Sequence, residues 1–306
     1  MYLCGGRHWT GSWTGVELWK YDLHTQQIIK LNSMREPRNF CCLQTINRRL
    51  YAMGGMGLLN GVNMELWLNS MEIYDIEENQ WSPAPAMNNR RADAAVTVCR
   101  GKIYILGGRD EVGITDSIEV YYPILNKWRC LKSQLTFKRS RARAVCIEDK
   151  IYVVGGWDGS RRLRTCEVYC VKSRQWSTLP DMFVPRSNHC LEVLNGNLFA
   201  IGGYDHMGHT TAHVECFNIH SCVWTLVGTL PTSRSSLSSA VVPAAAVQEQ
   251  LRRHLECKEQ FVDRRSTALR LETARASRNN QLRAYYANDT SLILDSGKFD
   301  CFKFLY

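Results

Sequence analysis

Apolar residues along this chain cluster in short runs separated by polar loops, and the runs recur at a nearly constant spacing. Four of them, "RLYAMGG", "KIYILGG", "KIYVVGG" and "NLFAIGG", are β-branched or aromatic enough to be inner strands, and each stops on two adjacent glycines. The glycine pairs stand at Gly5-Gly6, Gly54-Gly55, Gly107-Gly108, Gly155-Gly156 and Gly202-Gly203, at successive intervals of 49, 53, 48 and 47 residues. Beyond each pair a variable polar loop leads into a second run that carries an aromatic: "SMEIYD" at Tyr74, "SIEVYY" at Tyr121, "TCEVYC" at Tyr169 and "HVECFN" at Phe217. A tryptophan follows seven residues later, at Trp81, Trp128, Trp176 and Trp224; in the first copy Tyr21 fits and Ile28 takes the tryptophan's place. Four short strands per unit of about 50 residues, with glycines and aromatics in register, predict the blades of a β-propeller. Glycine weakens a strand, so a pair at each strand end marks a place where backbones and aromatics converge too closely for a side chain.

One stretch, "IYVVGGWDGS…CEVYCVKSRQWSTLPDMFVPRSNH", resembles a kelch repeat of the kelch-like protein family, and the likeness runs over about residues 1 to 243. The expected fold is all-β, a kelch-type propeller of five blades with four antiparallel strands each. Propellers of that family usually have six blades, so five glycine pairs mean either a small ring or a ring that has lost a blade; the count favours five. If the strands of a blade are A to D and the glycines end strand B, the chain begins at strand B. The segment "SSLSSAVV" at 235 to 242 matches the A strands "NFCCLQTI", "ADAAVTVC" and "ARAVCIED", so a C-terminal strand is expected to supply the missing A strand of the first blade and close the ring. Residues 244 to 306 share none of the repeat. Rich in Ala, Glu, Gln, Arg and Leu, with Val247, Leu251 and Leu255 at four-residue steps, they predict a partly helical tail that is either docked on the propeller or largely detached and disordered at its end.

Composition narrows the function. A length of 306 residues with 45% hydrophobic content suffices for a large β domain. The net charge of +9 suits acidic partners. Thirteen cysteines are scattered with no CxxC pair, and the amino terminus has no basic segment leading into an apolar core. These features predict a cytoplasmic protein with reduced thiols, in which Cys99, Cys146 and Cys190 are small buried hydrophobes. No run reaches a membrane span's length. The eight histidines are dispersed, and His206, His209 and His213, though close in sequence, lie on a loop and a following strand, so neither metal nor cofactor is expected. No nucleophile elbow, paired carboxylate or phosphate loop is present, which argues against an enzyme. The arginines are interrupted by acids, which argues against nucleic acid.

Strand alternation places the B-to-C and D-to-A connections at one end of every blade. That end collects the expected partner-binding residues: Trp9, Trp13, Arg38, Arg91, Arg109, Arg141, Trp157, Arg161, Arg162, Arg186, Tyr204 and His206. Arg, Trp and Tyr offer large contact area and forked donors. For Arg38, Arg186 and Arg234 a second role stands open, that of a repeat element bonding backbone carbonyls. The long second-blade loop at 56 to 70, with Leu58, Leu59, Met64 and Trp67, is either a contact lip or folded over its own blade. The resemblance implies that substrates bind this face and that the protein serves as the substrate adaptor of a cullin-3 ubiquitin ligase. The BTB and BACK segments that would reach the cullin are missing from this sequence, so that contact is expected only indirectly. A free-standing scaffold on actin or another cytoskeletal protein is the alternative.

Overall fold

The computed structural model describes residues 1–5, 15–22, 25, 27–58, 65–236, 239–241 and 302–304, with the side chains of 58, 65, 239–241 and 302–304 left aside. By contacts the chain divides into one unit of Met1–Asp22, Gln26–Ser239 and Phe304–Tyr306 and a second of Leu23–Thr25 and Ala240–Lys303. The first unit is a five-bladed propeller. Blade 1 holds β1 (Tyr2–Cys4), β2 (Leu18–Tyr21) and β3 (Ile28–Leu31). Blade 2 holds β4 (Cys42–Ile46), β5 (Arg49–Met53), β8 (Met71–Asp75) and β9 (Gln80–Ala84), with a small hairpin of β6 (Met56–Leu58) and β7 (Glu65–Trp67) in its B-to-C connection. Blade 3 is β10 (Ala95–Cys99), β11 (Lys102–Leu106), β12 (Ile118–Tyr122) and β13 (Lys127–Cys130), with a 3-10 turn at Pro123–Leu125. Blade 4 is β14 (Arg143–Ile147), β15 (Lys150–Val154), β16 (Cys166–Cys170) and β17 (Gln175–Leu179), and blade 5 is β18 (Cys190–Leu194), β19 (Asn197–Ile201), β20 (His213–Asn218) and β21 (Val223–Thr229).

Within each blade the repeated residues pair as their spacing predicts. Tyr74 lies opposite Trp81, Tyr121 opposite Trp128, Tyr169 opposite Trp176 and Phe217 opposite Trp224. Their rings sit 5.0 to 5.2 Å apart, in the tilted arrangement favoured by aromatic quadrupoles. Three of the four indoles also join blades: Trp81 donates to the carbonyl of Asn32 at 2.8 Å, Trp128 to that of Pro85 at 2.9 Å and Trp224 to that of Pro180 at 3.0 Å. The core is this aromatic layer plus the B-strand aliphatics, among them Leu50, Ile103, Ile151 and Leu198, all fully buried.

Both glycines of a pair are structural. In blade 4 Gly155 and Gly156 have φ of +61° and +108°. A Cβ on Gly155 would stand 2.5 Å from the Arg186 carbonyl oxygen, and one on Gly156 would stand 2.8 Å from that of Ser140. Gly156 donates its N–H to the Arg186 carbonyl at 2.8 Å, so the pair joins blade 4 to the entry of blade 5. The other complete pairs repeat the arrangement.

Two expectations are corrected. Among the described residues blade 1 keeps three strands, and the segment expected beside β1, β22 (Ser239–Val241), is paired in the sheet order with β23 (Phe302–Phe304). A three-residue strand presents backbone groups that any extended segment can match, so the repeat pattern does not fix its neighbour. Up to Ser236 the chain does follow the D-to-A turn of the other blades: Gly203 donates to Arg234 and Ser236 to Asn188. Second, Cys99 and Cys146 are not two separate buried hydrophobes: their Cα atoms stand 5.6 Å apart, and Cys146 is partly exposed. They lie one repeat apart on adjacent A strands, a proximity that appears only when consecutive blades pack side by side. The tail expected at 244 to 306 lies outside the described residues apart from β23.

Candidate partner-binding face

The registers put the start of each A strand beside the end of its B strand, for example Ala95 with Leu106, and the A-to-B turn, as at Cys99 with Lys102, at the other end. The B-to-C and D-to-A connections therefore share one face. Three concentric sets of residues build it.

The innermost set stands two residues beyond the repeat arginine of each D-to-A turn: Phe40, Asp93, Arg141, Asn188 and Ser236, with φ of 53 to 55°. Each of the last four donates its N–H to the carbonyl of the one before it, at 3.0, 2.7, 3.0 and 2.9 Å. This relay fixes a backbone rim of non-glycine residues in the left-handed region, a conformation that persists because the surrounding bonds over-determine it.

The second set follows the glycine pairs: Met56, Arg109, Trp157 and Tyr204 each bridge to the D-to-A turn of their own blade, at Asn39, Ala92, Ser140 and Ser187. Here the two sets meet. Asp93 Oδ2 accepts from Arg109 Nε at 2.8 Å and from Arg141 Nε at 3.3 Å. One carboxylate thus serves two guanidiniums, both partly exposed, and leaves a net positive charge. The Arg109 guanidinium also lies over the half-exposed Phe40 ring at 5.9 Å and donates to Sδ of buried Met56 at 3.5 Å.

The loop tips form the outer set, and in blades 3, 4 and 5 each is a turn organised by its own aspartate. Asp110 Oδ1 accepts from Val112 and Gly113, Asp158 Oδ1 from Ser160 and Arg161, and Asp205 Oδ1 from Met207 and His209. Burial raises the Asp158 carboxyl's pKa, but the N–H groups of Arg161 and Ser160 outweigh it and hold the group below the usual range. The tips present Val112, Met207, Arg161 and His206 to solvent, and Arg162 lies over Tyr204 at 5.6 Å.

The structure thus brings Arg109, Arg141, Trp157, Arg161, Arg162, Tyr204 and His206 to one face. Trp9 and Trp13 lie outside the described residues, as do Leu59, Met64 and the side chain of Leu58; Trp67 is half-buried on β7.

Arg38, Arg91 and Arg186 are corrected. They are 1%, 2% and 0% exposed, and with Arg139 they form a second, buried system. In each blade Nη1 donates to the carbonyl of the first glycine of the pair, Gly54, Gly107, Gly155 or Gly202, at 2.7 to 3.0 Å. Nη2 meets a C-strand glutamate: Glu72 at 3.3 Å, Glu119 at 3.0 Å, Glu167 at 2.7 Å and Glu215 at 2.5 Å. Those glutamates also accept backbone N–H groups of the D-to-A loops, as Glu215 does from Phe183 and Val184. Burial lowers the pKa of Arg139 and Arg186, opposed by the glutamate beside each. A guanidinium enclosed in this way cannot reach a partner.

The glutamates were readable as the acid two positions before each C-strand aromatic. Asp93 and the relay were readable as the second residue after each repeat arginine. Among the described residues no group of three or more His, Cys, Asp or Glu could hold a metal, and no helix is long and apolar enough to cross a membrane.

Comparison with known proteins agrees with the fold. The KLHDC2/KLHL20/DRC7 Kelch-repeats domain matches residues 1–156 and 90–247. Spermatocyte protein spe-26 of Caenorhabditis elegans is 26% identical over 257 residues, covering 79% of this chain and 42% of that protein. Kelch-like protein 35 of Mus musculus is 29% identical over 203 residues, covering 66% and 33%. Alpha-scruin of Limulus polyphemus is 23% identical over 267 residues, covering 81% and 28%. The chain therefore spans less than half the length of these relatives. The solved structure of YjhT superposes with a TM-score of 0.63 over 73% of this chain and 81% of that one, at 16% identity, a likeness of fold alone. With glycine pairs, aromatic pairs and buried arginines repeating blade after blade, and a family match across the propeller, this chain belongs to the kelch-repeat proteins.

Proposed function

We propose that this kelch propeller is a non-catalytic recognition module whose loop face holds an acidic or hydrogen-bonding segment of another protein. The observation that carries this reading is the pair Arg109 and Arg141 sharing Asp93 at the rim, on the face that also carries Trp157 and the stacked Arg162 and Tyr204. Forked donors beside aromatic faces suit a carboxylate-bearing peptide. The kelch-like relatives support a role as the substrate-recognition part of a cytoplasmic cullin-3 ubiquitin-ligase adaptor, with the cullin reached through a BTB-bearing chain. The charge of +9 favours a second reading, a scaffold on an acidic cytoskeletal protein such as actin.

Affinity purification from cells with wild-type bait and with the Arg109→Ala/Arg141→Ala and Trp157→Ala/Arg161→Ala/Arg162→Ala baits tests these readings. The expected result is a partner retained by the wild type and lost by both variants while the variants remain folded. Recovery of cullin-3 with a BTB-bearing protein supports the adaptor, and recovery of actin supports the scaffold. Equal capture by wild type and variants removes this face from consideration.

A further inference from the structure

The last two residues of the A strands are apolar or small at most blade interfaces. The final position is Ile46 in blade 2, Ile147 in blade 4 and Leu194 in blade 5, and the one before it is Thr45, Val98 or Val193 in blades 2, 3 and 5. Between blades 3 and 4 the two facing positions are both cysteine: Cys99 ends β10, and Cys146 stands one residue before the end of β14. Their Cα atoms are 5.6 Å apart, inside the range that a disulfide spans without backbone movement. The Glu148 carbonyl lies 3.7 Å from Sγ of Cys99 and 3.4 Å from Sγ of Cys146, so a single acceptor serves both thiols when they are reduced.

The same two strands are held at their opposite ends. At the loop face Arg141 donates its N–H to the Asp93 carbonyl at 2.7 Å and its Nε to the Asp93 carboxylate. At the A-to-B end Arg100 forms an ion pair with Asp149 next to the cysteines. Among the described residues no other two A strands bring a pair of cysteines together in this way.

We propose that Cys99 and Cys146 are an oxidisable dithiol, a hydroperoxide-responsive staple between blades 3 and 4. Cys146, the partly exposed partner, is the first to react, while Cys99 is buried and resolves. The Cys146 thiolate attacks a peroxide oxygen; the O–O bond breaks, leaving a sulfenic acid and one water. The Cys99 thiolate then attacks the sulfenic sulfur, the S–S bond forms, and the departing hydroxide takes a proton to give a second water. Two thiols lose two electrons and two protons, and one peroxide becomes two waters. A dithiol reductant reverses the change by exchange. Closing a link between residues 47 apart in sequence constrains the unfolded chain and so raises the stability of the propeller.

The test uses the full chain, purified reduced, treated with hydrogen peroxide, blocked with N-ethylmaleimide and mapped by mass spectrometry without reduction. Melting is followed with and without dithiothreitol. The comparison variant Cys99→Ile/Cys146→Val carries residues that the same positions hold in other blades, and so should keep the packing. The expected result is one linked peptide containing Cys99 and Cys146, and a melting temperature higher in the oxidised wild type by on the order of 5 to 10 °C. The variant should melt at one temperature regardless of reductant. Alkylation of Cys99 or Cys146 after peroxide overturns the proposal, as does a bond from either to another cysteine. A linked peptide with no melting difference, or a reductant-dependent shift that survives in the variant, overturns the staple as well.

Discussion

Arg139 and Arg141 are two residues apart in the same turn, yet they belong to different parts of the molecule. Arg139 is enclosed, with both ends of its guanidinium bonded to its own blade, whereas Arg141 stands at the rim and shares Asp93 with Arg109. The first belongs to a belt that repeats in four blades and anchors each glycine pair to the C strand. The second belongs to a face whose residues differ from blade to blade: Phe40, Asp93, Arg141, Asn188 and Ser236. Sameness marks what the ring needs in order to fold, and difference marks what a partner can read. Residue type alone does not separate the two; burial and partners do.

The comparison breaks most visibly inside the belt. Glu215→Ala leaves the fully buried Arg186 without its carboxylate and frees the N–H groups of Phe183 and Val184, so stability should fall by about 3–5 kcal/mol in denaturant titration. If this variant unfolds at the wild-type midpoint, the belt is dispensable. Gly155→Ala follows, at roughly 2–4 kcal/mol, because the new Cβ meets the Arg186 carbonyl at positive φ. Gly113→Ala, with φ of +145° and nothing within 4 Å, carries only backbone strain, about 1–2 kcal/mol. Equal losses at the two sites would mean that inter-blade contact does not matter at the pair.

His189 offers a pH-dependent version of the same contrast. It is fully buried at a position where Ala94 and Ala142 stand in blades 3 and 4, and neither ring nitrogen has a partner. Burial first, then the charges of Arg186, Arg143 and Arg139, hold its pKa well below the ordinary value. Because the folded state resists the proton that the unfolded chain binds near pH 6.5, the contribution is intact above that pH and is lost as pH falls below it. Between pH 7 and pH 5 the wild type should lose stability that His189→Ala does not, read from unfolding midpoints at the two pH values. Parallel pH profiles would assign the acid sensitivity elsewhere.

The smallest effect belongs to the face. Arg161 is 77% exposed and its ion pair with Asp158 spans 3.4 Å, so Arg161→Ala should move stability by no more than about 0.5 kcal/mol while weakening partner capture. A stability loss as large as that of a belt residue would mean that the tip is structural.

Much of this was legible because the repeat is written in local spacing. Glycine pairs, C-strand aromatics and tryptophans named the blades and their strands, and the position after each glycine pair named Arg109, Trp157 and Tyr204. The repeat arginines were visible too, but a chemical type shared by the belt and the face hid which of them were enclosed. Asp93 escaped notice because its importance lies in two arginines far along the chain, Arg109 16 residues ahead in its own blade and Arg141 48 ahead at the entry of the next, and only the folded blades bring both to it.

The sequence by itself determined the five repeats, the strand ends and the faces to which side chains point, because strand period and glycine conformation are local properties of the chain. Tertiary structure alone decided which arginines are buried, that Cys99 meets Cys146, and that β22 lies beside β23. Each of those depends on contact between segments far apart in sequence, and no local pattern encodes the distance between blades.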